Sequence, residues 1–162
     1  MMLPSGNDAA QAIADGFGEK IKFYKDQKKA RKYINNSNIN SMDVVASMEE
    51  NRKDKYFLQA MNKHVLKIDL YSSNYENPHG LANSLNYSSA RDVAKVMTYG
   101  LKNFPLFARV IVQNYWRSSA IMRNREEIYL EWENSHKMIR TSTHCKGGKT
   151  GITNNAGPCL AT

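Results

Sequence analysis

The side chains with chemical potential lie at opposite ends of the sequence. Late in the chain, Lys149-Thr150-Gly151 follows Gly147-Gly148 on a stretch that reads as a strand. At the start, Ser5-Gly6-Asn7 offers a hydroxyl and a carboxamide, each able to donate and accept. Serine, asparagine and lysine are the residue types with which a serine acyl-transfer site moves protons and holds a carbonyl. Taken singly, each triplet has a plainer reading. Serine and asparagine are favoured helix N-caps, and a Lys-Thr pair fits any exposed strand.

Other candidates are weaker. His79 sits in Asn77-Pro78-His79-Gly80, where a turn is the simpler role. His136 and His144 have no ligand partner at helical spacing, so they read as surface or supporting residues, and no metal site or cofactor is expected. Asp15 with Glu19, or Glu126 with Glu127, could be called carboxylate pairs, but nothing supports a glycosidase geometry. Cys145 and Cys159 are too few for a disulfide scaffold and would not face each other across a terminal hairpin, so both read as free thiols.

These groups must be positioned by the elements between them. Ala9, Ala10, Ile13, Ala14 and Phe17 recur at helical spacing, predicting a short helix from Asp8 to Phe17 that Gly16 and Gly18 stop. The tract from about 19 to 55 is basic and then Asn-rich, and reads as an inserted or poorly ordered loop. Phe57, Met61, Val65 and Ile68 predict a helix from Tyr56 to about Tyr71, followed by a breaker-rich region through Gly80. Ser89 and Asp92 form a capping-box pattern for a helix ending near Asn103, before Pro105. Phe107–Trp116 and Ile128–Trp132 read as strands, with Asn124 and Arg125 near the turn between them and Trp116, Tyr129 and Trp132 as core or edge packing. Gly147–Thr153 and Gly157–Thr162 flank Asn154-Asn155 as a last hairpin.

Composition sets the outer bounds. With 162 residues, 41% apolar and 23% charged, the chain fits one domain spanning 1–162. Its apolar runs fall far short of the roughly 18 residues of a spanning helix. The first residues have neither the basic nor the apolar region of an export signal. The net charge of +8 is concentrated between Lys20 and Lys32, where Asp26 is the lone acid. No nucleic-acid signature accompanies that run, so it reads as a solvated basic face and no nucleic-acid partner is expected.

Taken together, Ser5-Gly6-Asn7 and Lys149-Thr150-Gly151 are similar to two of the three motifs of penicillin-binding proteins and class A β-lactamases. The serine-glycine-asparagine form resembles one branch, the serine-type D-alanyl-D-alanine carboxypeptidases of peptidase family S11. The resemblance continues through Phe57–Asn62, Asn77-Pro78-His79-Gly80-Leu81, Ser89–Ala94, Asn134–Ile139 and Gly148–Ala161, in the family's order. It implies an α+β fold of helices packed on an antiparallel sheet, here in part.

The function so implied is hydrolysis of peptides ending in D-Ala-D-Ala through a serine acyl-enzyme, with β-lactams as acylating ligands and an extracytoplasmic setting. Ser5 would relay a proton to the leaving amine, and Asn7 would bind the substrate amide and orient the base. Lys149 would supply charge and Thr150 would bind the terminal carboxylate, with Thr153 as a weaker second contact. The strand through Gly151 would pair with substrate, and the Ile152 N–H would be one oxyanion donor. The sequence departs from the pattern in one respect: no serine has lysine three positions on, and only Met1-Met2-Leu3-Pro4 precede Ser5. The nucleophile is therefore missing from these residues, which implies a fragment that is inactive alone, or else an inactive remnant that still binds peptide or β-lactam. The Ser5-to-Lys149 interval also exceeds the family's, and the 19–55 tract accounts for the excess.

Overall fold

The computed structural model describes residues 1–35 and 53–162. Helix α1 spans Asn7–Asn35 and α2 spans Lys55–Lys67; the two pack together. The α1 stripe is narrow and made of small residues: Ala10 and Ala14 are buried, and Gly18 follows at the same four-residue step. On α2, Leu58 and Val65 are buried.

Helix α1 does not stop at Phe17. Gly16 and Gly18 lie inside it, and the helix formers of 19–31 carry it on where a loop was expected. A mid-helix glycine costs only about 1 kcal/mol, and Gly18 has a packing reason to be there. A Cβ at Gly18 would lie 2.0 Å from the Lys53 carbonyl oxygen, so only glycine admits the chain entering α2. Lys53 pairs with Glu19 at 3.1 Å, while Lys25 donates to Gln59 Oε1 at 2.9 Å and lies over the Tyr56 ring. The Asn-rich part of the expected loop, 36–52, falls outside the described residues.

Helix α2 ends at Lys67, not Tyr71, and its ending explains why. Leu70 N–H donates to Val65 O and Asp69 N–H to Leu66 O, the paired bonds of a Schellman motif, with Asp69 left-handed at φ 56°. Leu70 and Val65 are both buried, supplying the apolar contact that accompanies the motif. A left-handed non-glycine residue is strained by roughly 1 kcal/mol; Asp69→Gly relieves that strain but removes the carboxylate that accepts from the Tyr71 hydroxyl at 2.8 Å, so it is expected to raise stability by less than about 1 kcal/mol. Urea melts of the two proteins would check this, and an unchanged or lowered midpoint would contradict it.

From Ser72 to Ser88 the chain forms a loop held by asparagine side chains. Asn62 bonds both the N–H and the carbonyl of Tyr75, Asn74 donates to Leu85 O, and Asn86 accepts from Glu76 N. Asn77 accepts from Gly80 N and His79 Nδ1 accepts from Leu81 N, consistent with a turn role for His79. Helix α3, Ala90–Asn103, starts as expected: Ser89 Oγ accepts from Asp92 N–H. The capping box is only half made, because the Asp92 carboxylate turns away and accepts from Ser72 N and Ser73 Oγ instead.

The stretch expected to be a strand from Phe107 opens as helix α4, Pro105–Ile111. Proline at the first helical position is preorganised for this, and packing overrides the β-branched bias: Ile111 is 1% exposed, and Phe107 lies against Gly100 of α3. Strand β1 (Tyr115–Ile121) then pairs antiparallel with β2 (Glu127–Glu133), placing Trp116 opposite Trp132. Trp116 and Tyr129 are exposed, so these aromatics pack at an edge rather than in a core. Arg125 is left-handed in the intervening turn.

After a short helix α5, Met138–Thr141, strands β3 (Lys149–Thr153) and β4 (Gly157–Ala161) form a second antiparallel hairpin. The described sheets are two separate hairpins, an α+β arrangement. Both cysteines are free. No described helix is long and apolar enough to cross a membrane.

Candidate active site

Three segments distant in sequence converge where β3 begins. The first is the N-terminal turn: Gly6 N–H closes onto Met1 O, and Ser5 takes a left-handed conformation at φ 56°. Asn7 starts α1 immediately after it. A serine held in this region is strained, and such strain collects where a side chain must be aimed. Here the hydroxyl receives a hydrogen bond from Lys149 Nζ, which also donates to the Thr150 carbonyl. The two triplets singled out in the sequence are thus in direct contact.

The second segment is 134–136. Ser135 N–H donates to Leu3 O, tying the N-terminal turn in place, and Ser135 Oγ lies 2.6 Å from Thr150 Oγ1. Asn134, buried, donates to Gln113 O and accepts from His136 N. Ser135 lies in the Asn134–Ile139 stretch of the resemblance but was given no role of its own, because its importance comes from a partner fifteen positions away.

The third segment is Gly147-Gly148, which delivers Lys149. Gly147 has φ 110° and its missing side chain leaves room for Ile111. A Cβ on Gly148 would lie 2.4 Å from Ala161 O and 2.8 Å from the His136 ring. Of the two placements the sequence left open for His136, the structure shows the supporting one: it is 2% exposed and lies behind the strand, its Nε2 3.1 Å from Thr162 Oγ1 and 3.4 Å from Cys145 Sγ. His144 is exposed.

Burial lowers the Lys149 pKa from its ordinary value. By linkage, holding the protonated ammonium costs the folded chain stability at neutral pH, and that cost falls as pH rises from the lowered value toward the ordinary one. A half-buried cation with only neutral partners described is poised to receive an anion.

These groups open on a cleft of about 1570 Å³, lined by Ser5–Asn7, the 78–84 loop, Ser135–Met138 and the β3–β4 hairpin. Among the described residues β3 has a strand on one side only, and Gly151 has nothing within 4 Å of where a Cβ would be. Ile152 is 77% exposed. Thr153 Oγ1 is occupied within the hairpin turn, accepting from Ala156 N.

Comparison with known proteins identifies the family. The family profile of D-alanyl-D-alanine carboxypeptidase, peptidase S11, matches residues 44–162. The chain is 25% identical over 160 residues to the D-alanyl-D-alanine carboxypeptidase of Streptomyces sp. strain K15, covering 99% of this chain and 46% of that protein. It is 31% identical over 101 residues to D-alanyl-D-alanine carboxypeptidase DacA of Haemophilus influenzae, covering 62% of this chain and 24% of the relative. The crystal structure of the Streptomyces K15 DD-transpeptidase superposes with a TM-score of 0.74 at 24% identity, over 98% of this chain and 50% of that one. The chain spans about half the length of the K15 protein and less of DacA. With the profile covering most of its residues, and with helices and small antiparallel sheets matching part of the penicillin-binding fold, the chain belongs to the D-alanyl-D-alanine carboxypeptidase family, peptidase S11.

Proposed function

We propose that this chain supplies the substrate-binding side of a serine D-Ala-D-Ala carboxypeptidase site and that, without a Ser-x-x-Lys in its 162 residues, it forms no acyl-enzyme by itself. The observation that carries the reading is the contact of Lys149 with Ser5 across the chain, beside the Thr150–Ser135 hydroxyl pair. Lys149 and Thr150 receive the terminal carboxylate of the peptide, with Ser135 orienting the Thr150 hydroxyl. Charge-assisted bonds of this kind are about twice as strong as neutral ones. Ser5 stands where a proton could pass to the leaving amine, and Asn7 faces the same cleft, where its carboxamide can bind the substrate amide.

The open edge of β3 pairs with extended peptide. Its phase is set by Pro158, which stands opposite Ile152 and has no N–H to give. Ladder bonds then favour positions 149, 151 and 153, which turns the N–H of Ile152 toward the open edge, where an oxyanion donor belongs. Gly151 leaves the sheet face beside that edge open, and Thr153 is at its far end.

Incubation with a fluorescent penicillin followed by denaturing electrophoresis is expected to leave this chain unlabelled. Titration with a peptide ending in D-Ala-D-Ala is expected to show binding that Lys149→Gln weakens about tenfold, the loss of one charge-assisted contact. A labelled band would overturn the first half of the proposal, and absence of peptide binding the second.

A further inference from the structure

The family profile begins at residue 44, so it leaves α1 outside its match. That helix carries a surface the peptidase reading does not use. Its inner side is occupied: Ala10, Ala14 and Gly18 pack inward, and Lys25 reaches Gln59 on α2. Ile13, Phe17, Lys20, Tyr24, Lys28 and Arg31 follow one another at steps of three or four residues and therefore form one continuous row. Every member is exposed, including Phe17 at 53% and Tyr24 at 69%. Phe23 lies beside the row at 58% exposure, its ring edge-on to Tyr24.

A solvated basic face accounts for the lysines but not for the aromatics. Single exposed apolar residues need no explanation, whereas several adjoining ones mark a contact surface. Rings at the level of cationic side chains are what an interfacial helix presents to lipid: the rings enter the headgroup region while the ammonium and guanidinium groups meet phosphates. Lys20 lies 5.8 Å from the Phe17 ring, so charge and ring reach the same depth. Between Lys20 and Lys32 there are seven basic residues and one acid, a charge opposite to that of an anionic bilayer. A free nucleic acid or polyphosphate would satisfy the charges and leave the rings in water.

We propose that the outer row of α1 docks this chain onto an anionic lipid surface. The test is co-sedimentation of the full chain with vesicles of phosphatidylcholine containing phosphatidylglycerol, and with vesicles of phosphatidylcholine alone. Binding is expected only to the former. It should weaken steeply with salt, and fall roughly 100-fold in Lys20→Gln/Lys28→Gln/Arg31→Gln, since each basic residue near such a surface contributes about fivefold. Phe17→Ser/Tyr24→Ser is expected to lose at least about tenfold as well, because the rings add buried apolar area. Both variants change exposed side chains, and circular dichroism should report an unchanged helix content. Equal binding to both vesicles, or none to either, would overturn the proposal. So would binding that responds to the charge variant but not to the ring variant and is matched by soluble polyphosphate, which would make α1 a polyanion site. A dimer in sedimentation without lipid, abolished by the ring variant, would assign the row to a second copy and overturn it too.

Discussion

Gly148→Ala is expected to lower stability by about 3 kcal/mol or more, in the range of severe overpacking, and to abolish peptide binding with it. The added methyl has no room: it would stand 2.4 Å from the Ala161 carbonyl on the paired strand and 2.8 Å from the His136 ring. Neither neighbour yields easily. The carbonyl is backbone, and the imidazole is 2% exposed and hydrogen-bonded to Thr162 and Cys145. Any shift of β3 moves Lys149 away from Ser5 and Thr150 away from Ser135. Gly151→Ala is the matched control. It adds the same methyl to a strand beginning one residue later with nothing within 4 Å, so it should leave the urea midpoint unchanged or slightly raised, by the lost conformational freedom of glycine. Any loss should appear only in peptide affinity, if the open edge of β3 is where the peptide lies. Equal melts for Gly148→Ala and the parent would contradict the packing described behind the strand.

Asp92 is expected to contribute to acid unfolding, and Asp92→Asn to flatten the pH dependence while lowering stability at neutral pH. Burial pushes the Asp92 carboxyl pKa up, but hydrogen bonds from the Ser73 hydroxyl and the Ser72 N–H, with Lys95 and Arg91 nearby, outweigh it and hold the pKa below its ordinary value. A carboxylate whose pKa is lowered by folding contributes stability that is complete above the unfolded-chain value near 4 and is lost as pH falls through the lowered one. The residues released are those that shape one wall of the cleft. Asp92 ties the start of the 72–88 loop to the N-terminus of α3, and the 78–84 part of that loop lines the site. Urea melts of parent and variant between about pH 3 and pH 7 would read both effects. Parallel pH curves for the two proteins would show that Asp92 is not the titrating group.

How far the sequence carried varies by element in a way physics explains. The start and end of α3 were legible because an N-cap and a proline act through local geometry. The β3–β4 hairpin was legible for the same reason, from the turn residues Asn154-Asn155 between two short strand-length segments. The end of α1 was misplaced because the cost of glycine in a helix is small beside the close approach of Lys53 that Gly18 permits. The start of α4 was misread because Ile111 and Phe107 found helical packing partners that outweigh a β-branched bias. Asp92 was assigned to a cap, but two serines nineteen and twenty positions upstream claimed its carboxylate.

The candidate site divides along the same line. Ser5, Asn7, Lys149 and Thr150 were nameable from their order and type alone, because the motif is a statement about which functional groups the chain possesses. That Lys149 touches Ser5, that Ser135 completes the hydroxyl pair, and that His136 is the buried prop behind Gly148 were decided only by the tertiary structure. These are contacts between segments whose separation in sequence gives no signal, fixed by how α1, the 134–136 turn and the last hairpin pack. Local rules write the elements, and burial chooses which of their side chains meet.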